Sequence, residues 1–232
     1  EPDLRCPESQ PLFVEAGLLA LAQAGCRDSD LATSVCDFLD AVSDDKGLVP
    51  AILKDARDFP LAGHWGHASV VPDMNVTIGI CGLLHYQGVE HPWLTRATET
   101  CCEGVLKDPP REAHTLLGVA RLADHLPDRS LGISLFDAIA QALPKAEWFI
   151  ADAPVESYGL TPLDFAFEPT SVWRQLFSQE QINAHLEDLL NRQLPDGGWP
   201  IRWEAPGPVA ALEWRGHLTL NAICRLNAYG VI

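Results

Sequence analysis

The stretch Gln193-Leu-Pro-Asp-Gly-Gly-Trp-Pro200 follows directly on Ile182, Leu186, Leu189 and Leu190, which recur at the three-and-four spacing of one helix face. It reads as a helix that stops at a Pro/Gly turn. A planar amide at Gln193 and an indole at Trp199, held apart by that turn, can stack on each other and tie the end of one helix hairpin to the start of the next. Gly198 is expected to take backbone angles that other residues avoid. Gln193, Gly197 and Trp199 are therefore read as a structural motif. The plainer alternative is a helix end followed by an ordinary turn.

The same periodicity runs through the rest of the chain. Val35, Phe38, Leu39 and Val42 mark one helix face, as do Ile78, Cys81 and Leu84, then Leu94, Ala97, Cys101 and Val105, then Phe136, Ile139, Ala140 and Leu143. Nothing comparable alternates with period two, so the class is all-α. Breaks at Asp-Asp-Lys-Gly47, His-Pro92, Pro109-Pro110, Leu-Pro127, Leu-Pro144 and Pro195 divide the pattern. The spacing predicts helices over 11–24, 29–43, 73–87, 91–107, 111–125, 129–143, 178–194 and 213–229, with a short helical turn near 170–177. The pairs 11–43, 73–107 and 111–143 read as helix hairpins, each too small to bury its own apolar face, so each must stack on the next. Residues 38–50 read as a degraded copy of 189–200, with Asp45 and Gly47 matching Asp196 and Gly198. Three long connections, 47–72, 147–171 and 195–212, carry most of the aromatics outside the helices, and loops of that length are usually functional.

With 232 residues, 47% hydrophobic and 21% charged, the chain is long enough for one sizeable core or two small ones, and residues 1–232 are expected to form a single domain. Sixteen Lys plus Arg against 32 Asp plus Glu give a formal charge of -16, which repels phosphate backbones and excludes nucleic acid as a partner. No apolar run approaches the ~20 residues of a membrane span, and no basic segment leads into an apolar one as in a secretory signal. The sequence starts without Met, which leaves room for an upstream helix. Seven Cys is an odd number, and Cys36, Cys81, Cys101 and Cys224 fall within apolar helical patterns, as reduced buried thiols do; this points to the cytoplasm.

The Gln-x-x-x-Gly-x-Trp spacing of Gln193, Gly197 and Trp199 resembles the Gln-Trp repeat of the terpene cyclase and prenyltransferase repeat family, the squalene cyclase-like repeat. Leu212-Glu-Trp-Arg-Gly216, running on to Tyr229, adds to the resemblance. It implies an α/α toroid, or partial toroid, of stacked helix hairpins whose inner helices line a cavity for a hydrophobic, isoprenoid-like small molecule. Pro72-Asp-Met-Asn-Val-Thr77 is the second point of likeness. Class II terpene cyclases carry Asp-x-Asp-Asp-Thr after a Pro at the start of an inner helix, where the central Asp protonates an alkene. Aligned on Pro72, this chain keeps Asp73 and Thr77 but has Asn75 and Val76 where the second and third Asp would stand. A neutral amide cannot donate that proton, so a cyclase-like reaction here needs a substitute acid. The related prenyltransferases hold zinc with an Asp-x-Cys pair, and none occurs here: Cys36-Asp37 and Asp3-Leu-Arg-Cys6 have the wrong spacing. No metal and no cofactor are expected.

Three carboxylates are candidate catalytic groups. Asp73 is one, although an Asp before an apolar helix is also a good N-cap. Asp164 is another, since desolvation beside Phe165 and Phe167 would disfavour its charged form. Glu213, which opens the last predicted helix with Arg215 and His217, is the third; capping serves equally well for all three of that group. Trp65, His114, Tyr158, Trp173, Trp199 and Trp203 are candidate substrate-binding residues. In Gly63-His-Trp-Gly-His67, His64 and His67 offer two metal ligands or an acid or base, but no third ligand is assignable, and solvated loop histidines packing on Trp65 are the plainer reading. His85 and His91 read as cap or edge residues. Two other functions fit the pattern: a non-catalytic toroid that binds a ligand or protein, and a carbohydrate-active helical ring using paired carboxylates near 199–214. The oligomeric state is not legible in the sequence.

Overall fold

A computed structural model of the chain describes residues 2–65 and 70–232. Among the described residues it is all-α, with isolated bridges at Leu4–Leu61, Val49–Asp73 and Phe149–Leu160 and no strand. The helices are α1 (Pro11–Gln23), α2 (Ser29–Val42), α3 (Met74–Gln87), α4 (Pro92–Lys107), α5 (Ala113–His125), α6 (Arg129–Ala142), α7 (Pro162–Phe165), α8 (Gln179–Asn191) and α9 (Pro208–Ala228). A 3-10 turn at Val172–Leu176 occupies the short turn expected near 170–177. The last helix starts earlier than the spacing predicts. Pro208 stands in its first turn, where a missing N–H costs nothing.

The chain divides into two compact units, one from Asp3 to Leu143 and one from Pro144 to Ile232. In the first, α3 packs against α1, α4 and α5, while α4 packs against α2 and α6. Helices α1, α3 and α5 thus form one row, and α2, α4 and α6 a second. The predicted hairpins α3–α4 and α5–α6 do pack as pairs, whereas α1 leans on α3 and α2 on α3 and α4. Every residue of α3 from Val76 to Leu84 is buried, as befits a helix that is apolar all round and covered on every side. Most helix starts are set by a side chain: Asp28, Asp73, His91, Glu112 and Asp128 each accept a backbone N–H of the first turn.

The closest packing is between α3 and α5. A Cβ on Gly82 would lie 2.6 Å from the backbone carbon of Arg121, and one on Gly118 would lie 2.9 Å from Ile78 Cγ2 and 3.2 Å from the Gly79 nitrogen. These glycines let two parallel backbones touch. Cys36, Cys81, Cys101 and Cys102 are buried, and burial pushes the Cys36 and Cys102 thiols up to about 12, which makes them unreactive. Cys224 is instead exposed, because α9 buries only Ala210, Ala222 and Leu226.

In the second unit α8 packs against α7 and α9, and the turn between α8 and α9 explains the opening motif. The Trp199 indole donates to the Leu189 carbonyl at 2.7 Å and the Gln193 amide donates to the Gly197 carbonyl at 2.9 Å, so each side chain ties the turn through backbone. Gly197, at φ +85°, is the residue in the left-handed region. Gly198 instead leaves room for Arg215: a Cβ there would lie 2.7 Å from its guanidinium.

The same turn occurs in the first unit. Leu194 N–H donates to Gly198 O and Gly197 N–H to Leu194 O, just as Asp44 N–H donates to Leu48 O and Gly47 N–H to Asp44 O. Gly47 also has φ +85°. Beyond each turn, Trp199 N–H donates to the Thr219 hydroxyl and Val49 N–H to the Thr77 hydroxyl. The internal copy therefore pairs Gly47 with Gly197, one residue off the register read from Asp45 and Asp196. The left-handed glycine and its hydrogen bonds define the shared register, and an acidic side chain braces each turn, Asp44 accepting from Lys46 and Leu48 N–H and Asp196 from Gly198 N–H.

Gly82→Val should destabilise the protein by more than the ~1–3 kcal/mol of ordinary overpacking, because it drives side-chain carbons into backbone. Gly17→Ala, in α1 with nothing within 4 Å of the new Cβ, should raise stability by up to ~1 kcal/mol. Urea unfolding of the two variants measures both signs.

Candidate active site

The α3–α5 contact brings the N-terminal ends of both helices together, each with a carboxylate cap. Asp73 Oδ1 accepts from Asn75 N–H at 2.8 Å. Glu112 accepts from the backbone N–H groups of His114 and Thr115, both at 3.0 Å. Between the caps, the Thr115 hydroxyl lies 3.1 Å from Asn75 Oδ1 and 3.2 Å from Glu112 Oε2. Glu112 Oε1 also holds His114 Nδ1. Deeper in the row, Glu15 of α1 pairs with Arg121 of α5 at 2.8 Å. Gly79 leaves the space that the Glu15 carboxyl occupies: a Cβ there would lie 2.4 Å from Glu15 Oε1.

One polar chain thus runs from Asp73 through Asn75 and Thr115 to Glu112 and His114, and the Glu15–Arg121 pair lies within the electrostatic reach of His114. It is graded in depth. Asp73 and Asn75 are exposed, the His114 and Glu112 side chains are 35% and 30% exposed, and those of Arg121 and Glu15 are 25% and 21%.

The environments push these carboxyls apart. Desolvation raises the Glu15 pKa, against the lowering influence of Arg121 and His114. Desolvation also raises Asp73, although the Asn75 N–H opposes it. At Glu112 desolvation acts upward too, but His114 and the two backbone N–H groups outweigh it, and its pKa is lowered. Carboxyls held on opposite sides of their ordinary value are the arrangement that acid–base chemistry requires. Next to Asp73, an open groove of about 460 Å³ is lined by Val42, Pro50, Leu53, Lys54, Asp55, Val70 and Pro72.

Of the residues singled out in the sequence, Asp73 and His114 fall in this chain. Trp65 packs on a cluster of Leu4, Cys6, Leu12, Ile52 and Ala56 under the long connection. His64 lies 3.8 Å from Asp3, and His67 is outside the described residues. Among the described residues no group of three or more His, Cys, Asp or Glu is placed to hold a metal ion. No helix there is long and apolar enough to cross a membrane. His91 caps α4 and reaches Asp37 at 3.2 Å, and His85 pairs with the Thr98 hydroxyl at 2.9 Å.

In the second unit, Trp173 and Trp199 are 2% and 4% exposed and serve the core and the turn, not a surface. Tyr158 and Trp203 are in ring contact at 5.4 Å. Glu213 is exposed in the second turn of α9, past the reach of the helix N-terminus, while Arg215 binds Asp196 at 2.8 Å and fastens α9 to the Gly-Gly turn.

Asp164 departs from expectation. It is largely buried and desolvation acts to raise its pKa, but Arg225 at 2.6 Å and the Thr161 N–H and hydroxyl outweigh that, so the pKa is lowered. An ionised carboxylate locked in a pair is a structural group and not a stored proton.

Glu15, Glu112, Thr115 and Arg121 are not among the residues that the sequence pattern singles out. Glu112 carried a signal, since it follows Pro109-Pro110 where an N-cap belongs. Glu15 and Arg121 lie far apart in the chain and carried none.

Asp164→Asn should cost about 3–5 kcal/mol, the cost of leaving a buried partner charge unpaired. In the wild type this stabilisation is full above the ordinary Asp value of 3.8 and is lost as pH falls through the lower folded value. Trp199→Ala should cost a similar ~3–5 kcal/mol. Thermal melts between pH 2 and 7 test both. No protein-family model matches the chain, and no curated protein or solved structure matches it, so the chemistry of the site is read from its own residues.

Proposed function

We propose that the chain is a terpene cyclase/prenyltransferase-like helical-repeat enzyme acting on a hydrophobic, isoprenoid-like small molecule. In this reading the rows of the first unit and the shared Gly47 and Gly197 turns belong to an α/α toroid or partial toroid. The polar chain at the α3 and α5 N-termini does the proton work that Asn75 cannot. Glu15 is the substitute acid, because burial favours its protonated form. His114, oriented by Glu112, passes protons between the interior and Asp73 at the surface.

The observation that carries the proposal is the position of Glu15. The Glu15 carboxyl of α1 and the Arg121 guanidinium of α5 meet over Gly79 of α3, where desolvation raises the carboxyl against the lowering influence of Arg121 and His114. Asp73 remains a second candidate acid, with the raised pKa such a role requires.

Incubation with squalene-like and diphosphate-bearing polyprenyl substrates, followed by product analysis, tests the assignment. The expected outcome is turnover that falls ~10²–10⁴-fold in Glu15→Gln and in His114→Gln, with folding retained. Robust turnover that survives Glu15→Gln and Asp73→Asn would refute the acid assignment. Binding of these molecules without any turnover would favour the non-catalytic, ligand-binding reading.

A further inference from the structure

A run of aromatic rings in the second unit takes no part in the polar chain. Trp148, Tyr158, Trp203, Trp214 and His217 touch in that order, with centroids 6.1, 5.4, 5.1 and 5.7 Å apart. Successive planes are inclined by 57°, 74°, 81° and 75°, so the Trp148–Tyr158 pair is tilted and the other neighbours meet edge to face. Burial falls along the run: Trp214 and Trp203 are half-buried, Tyr158 is 37% exposed and Trp148 is 56% exposed.

Trp148 is held in a conformation that bulky residues avoid. Its φ is +61°, the single positive value at a non-glycine position among the described residues. The backbone around it is over-determined. Leu160 N–H donates to the Trp148 carbonyl at 2.7 Å, Ile150 N–H donates to the Leu160 carbonyl at 2.8 Å, and a Cβ on Gly159 would lie 2.9 Å from the Trp148 carbonyl oxygen. The result is an indole with more than half its surface in solvent. Core packing does not account for that outcome, since a glycine would relieve the backbone and expose less apolar surface. Strain maintained to present a side chain to solvent is a mark of a binding position.

We infer that this run is a surface platform for a neutral carbohydrate, independent of the acid–base site of the first unit. The exposed Trp148 indole, with the Tyr158 ring against it, offers ring surface for the C–H face of a sugar. Hydrogen-bonding groups for hydroxyls are exposed in the segment that carries Trp148 and Tyr158, at Glu147, Asp152, Glu156 and Ser157, and the Arg202 guanidinium is anchored on the Ser157 carbonyl at 3.1 Å. Other ligands fit worse. Anions meet three exposed carboxylates on a chain of net charge -16. A small organic cation needs rings that close around it, and these rings pack on one another instead. A wholly apolar ligand needs an enclosed site, and the exposed end of the run is open.

Native gels cast with soluble neutral polysaccharides (a β-glucan, a xylan, a mannan and starch) test the inference, with heparin as an anionic control. The expected result is retarded migration of the wild type in at least one neutral gel and none in heparin. Trp148→Ala and Trp148→Gly should both lose the retardation. Trp148→Gly should nevertheless melt at or above the wild-type temperature, because glycine accepts φ +61° without strain. Unretarded wild type in all four neutral gels, retardation that survives loss of the indole, or equal retardation in heparin would each overturn the proposal. So would a Trp148→Gly variant that unfolds well below the wild type, since the indole would then be a packing element.

Discussion

Two helices can run with their backbones in contact only where side chains are missing between them, and α3 and α5 do so at Gly79, Gly82 and Gly118. The rest of the first unit is arranged around that contact. It sets the depth at which α3 is buried, and the apolar residues from Val76 to Leu84 then have neighbours on every side. It also makes the two helix N-termini neighbours. Each needs acceptors for its free amide groups, and each finds them in a carboxylate.

The polar chain follows from the same constraint. Acidic caps are favourable at helix N-termini, so Asp73 and Glu112 stand there for ordinary structural reasons. Bringing the ends together puts Thr115 between Asn75 and Glu112 and holds His114 against Glu112. Gly79 then leaves space for Glu15 to lie over α3 and reach Arg121. Groups that would be unremarkable caps on separate helices become a graded series of titrating side chains, with Glu15 raised and Glu112 lowered. The second unit shows the converse case. Asp164 is as deeply placed as Glu15, but its capping bonds to Thr161 and its close pair with Arg225 keep it ionised, which fits a structural role.

The helices were legible in the sequence because their signals are local: apolar stripes, Pro and Gly breaks, and acidic or hydroxyl caps act within a few residues. The Gln193–Trp199 turn was legible for the same reason, although the residue needing a left-handed backbone is Gly197 and not Gly198. What the pattern could not give was pairing across distance. Glu15 and Arg121 are brought together by α1 and α5 packing on α3, and no spacing rule relates them. The expected pKa of Asp164 failed similarly: Phe165 and Phe167 are its neighbours in sequence, but Arg225 is its neighbour in space. Glu213 was misplaced because the start of α9 is set by Pro208, which shifts it out of the first turn.

The most direct measurement is an NMR titration of the Glu15 side-chain carboxyl in the intact protein and in His114→Phe. If the three helices converge as described, Glu15 titrates above its ordinary value of 4.5, and removal of the nearby imidazolium moves its midpoint further up. A Glu15 carboxyl that titrates at 4.5 and ignores the loss of His114 would contradict the account, because the carboxyl would then be solvated and apart from the chain of groups built on the α3–α5 contact.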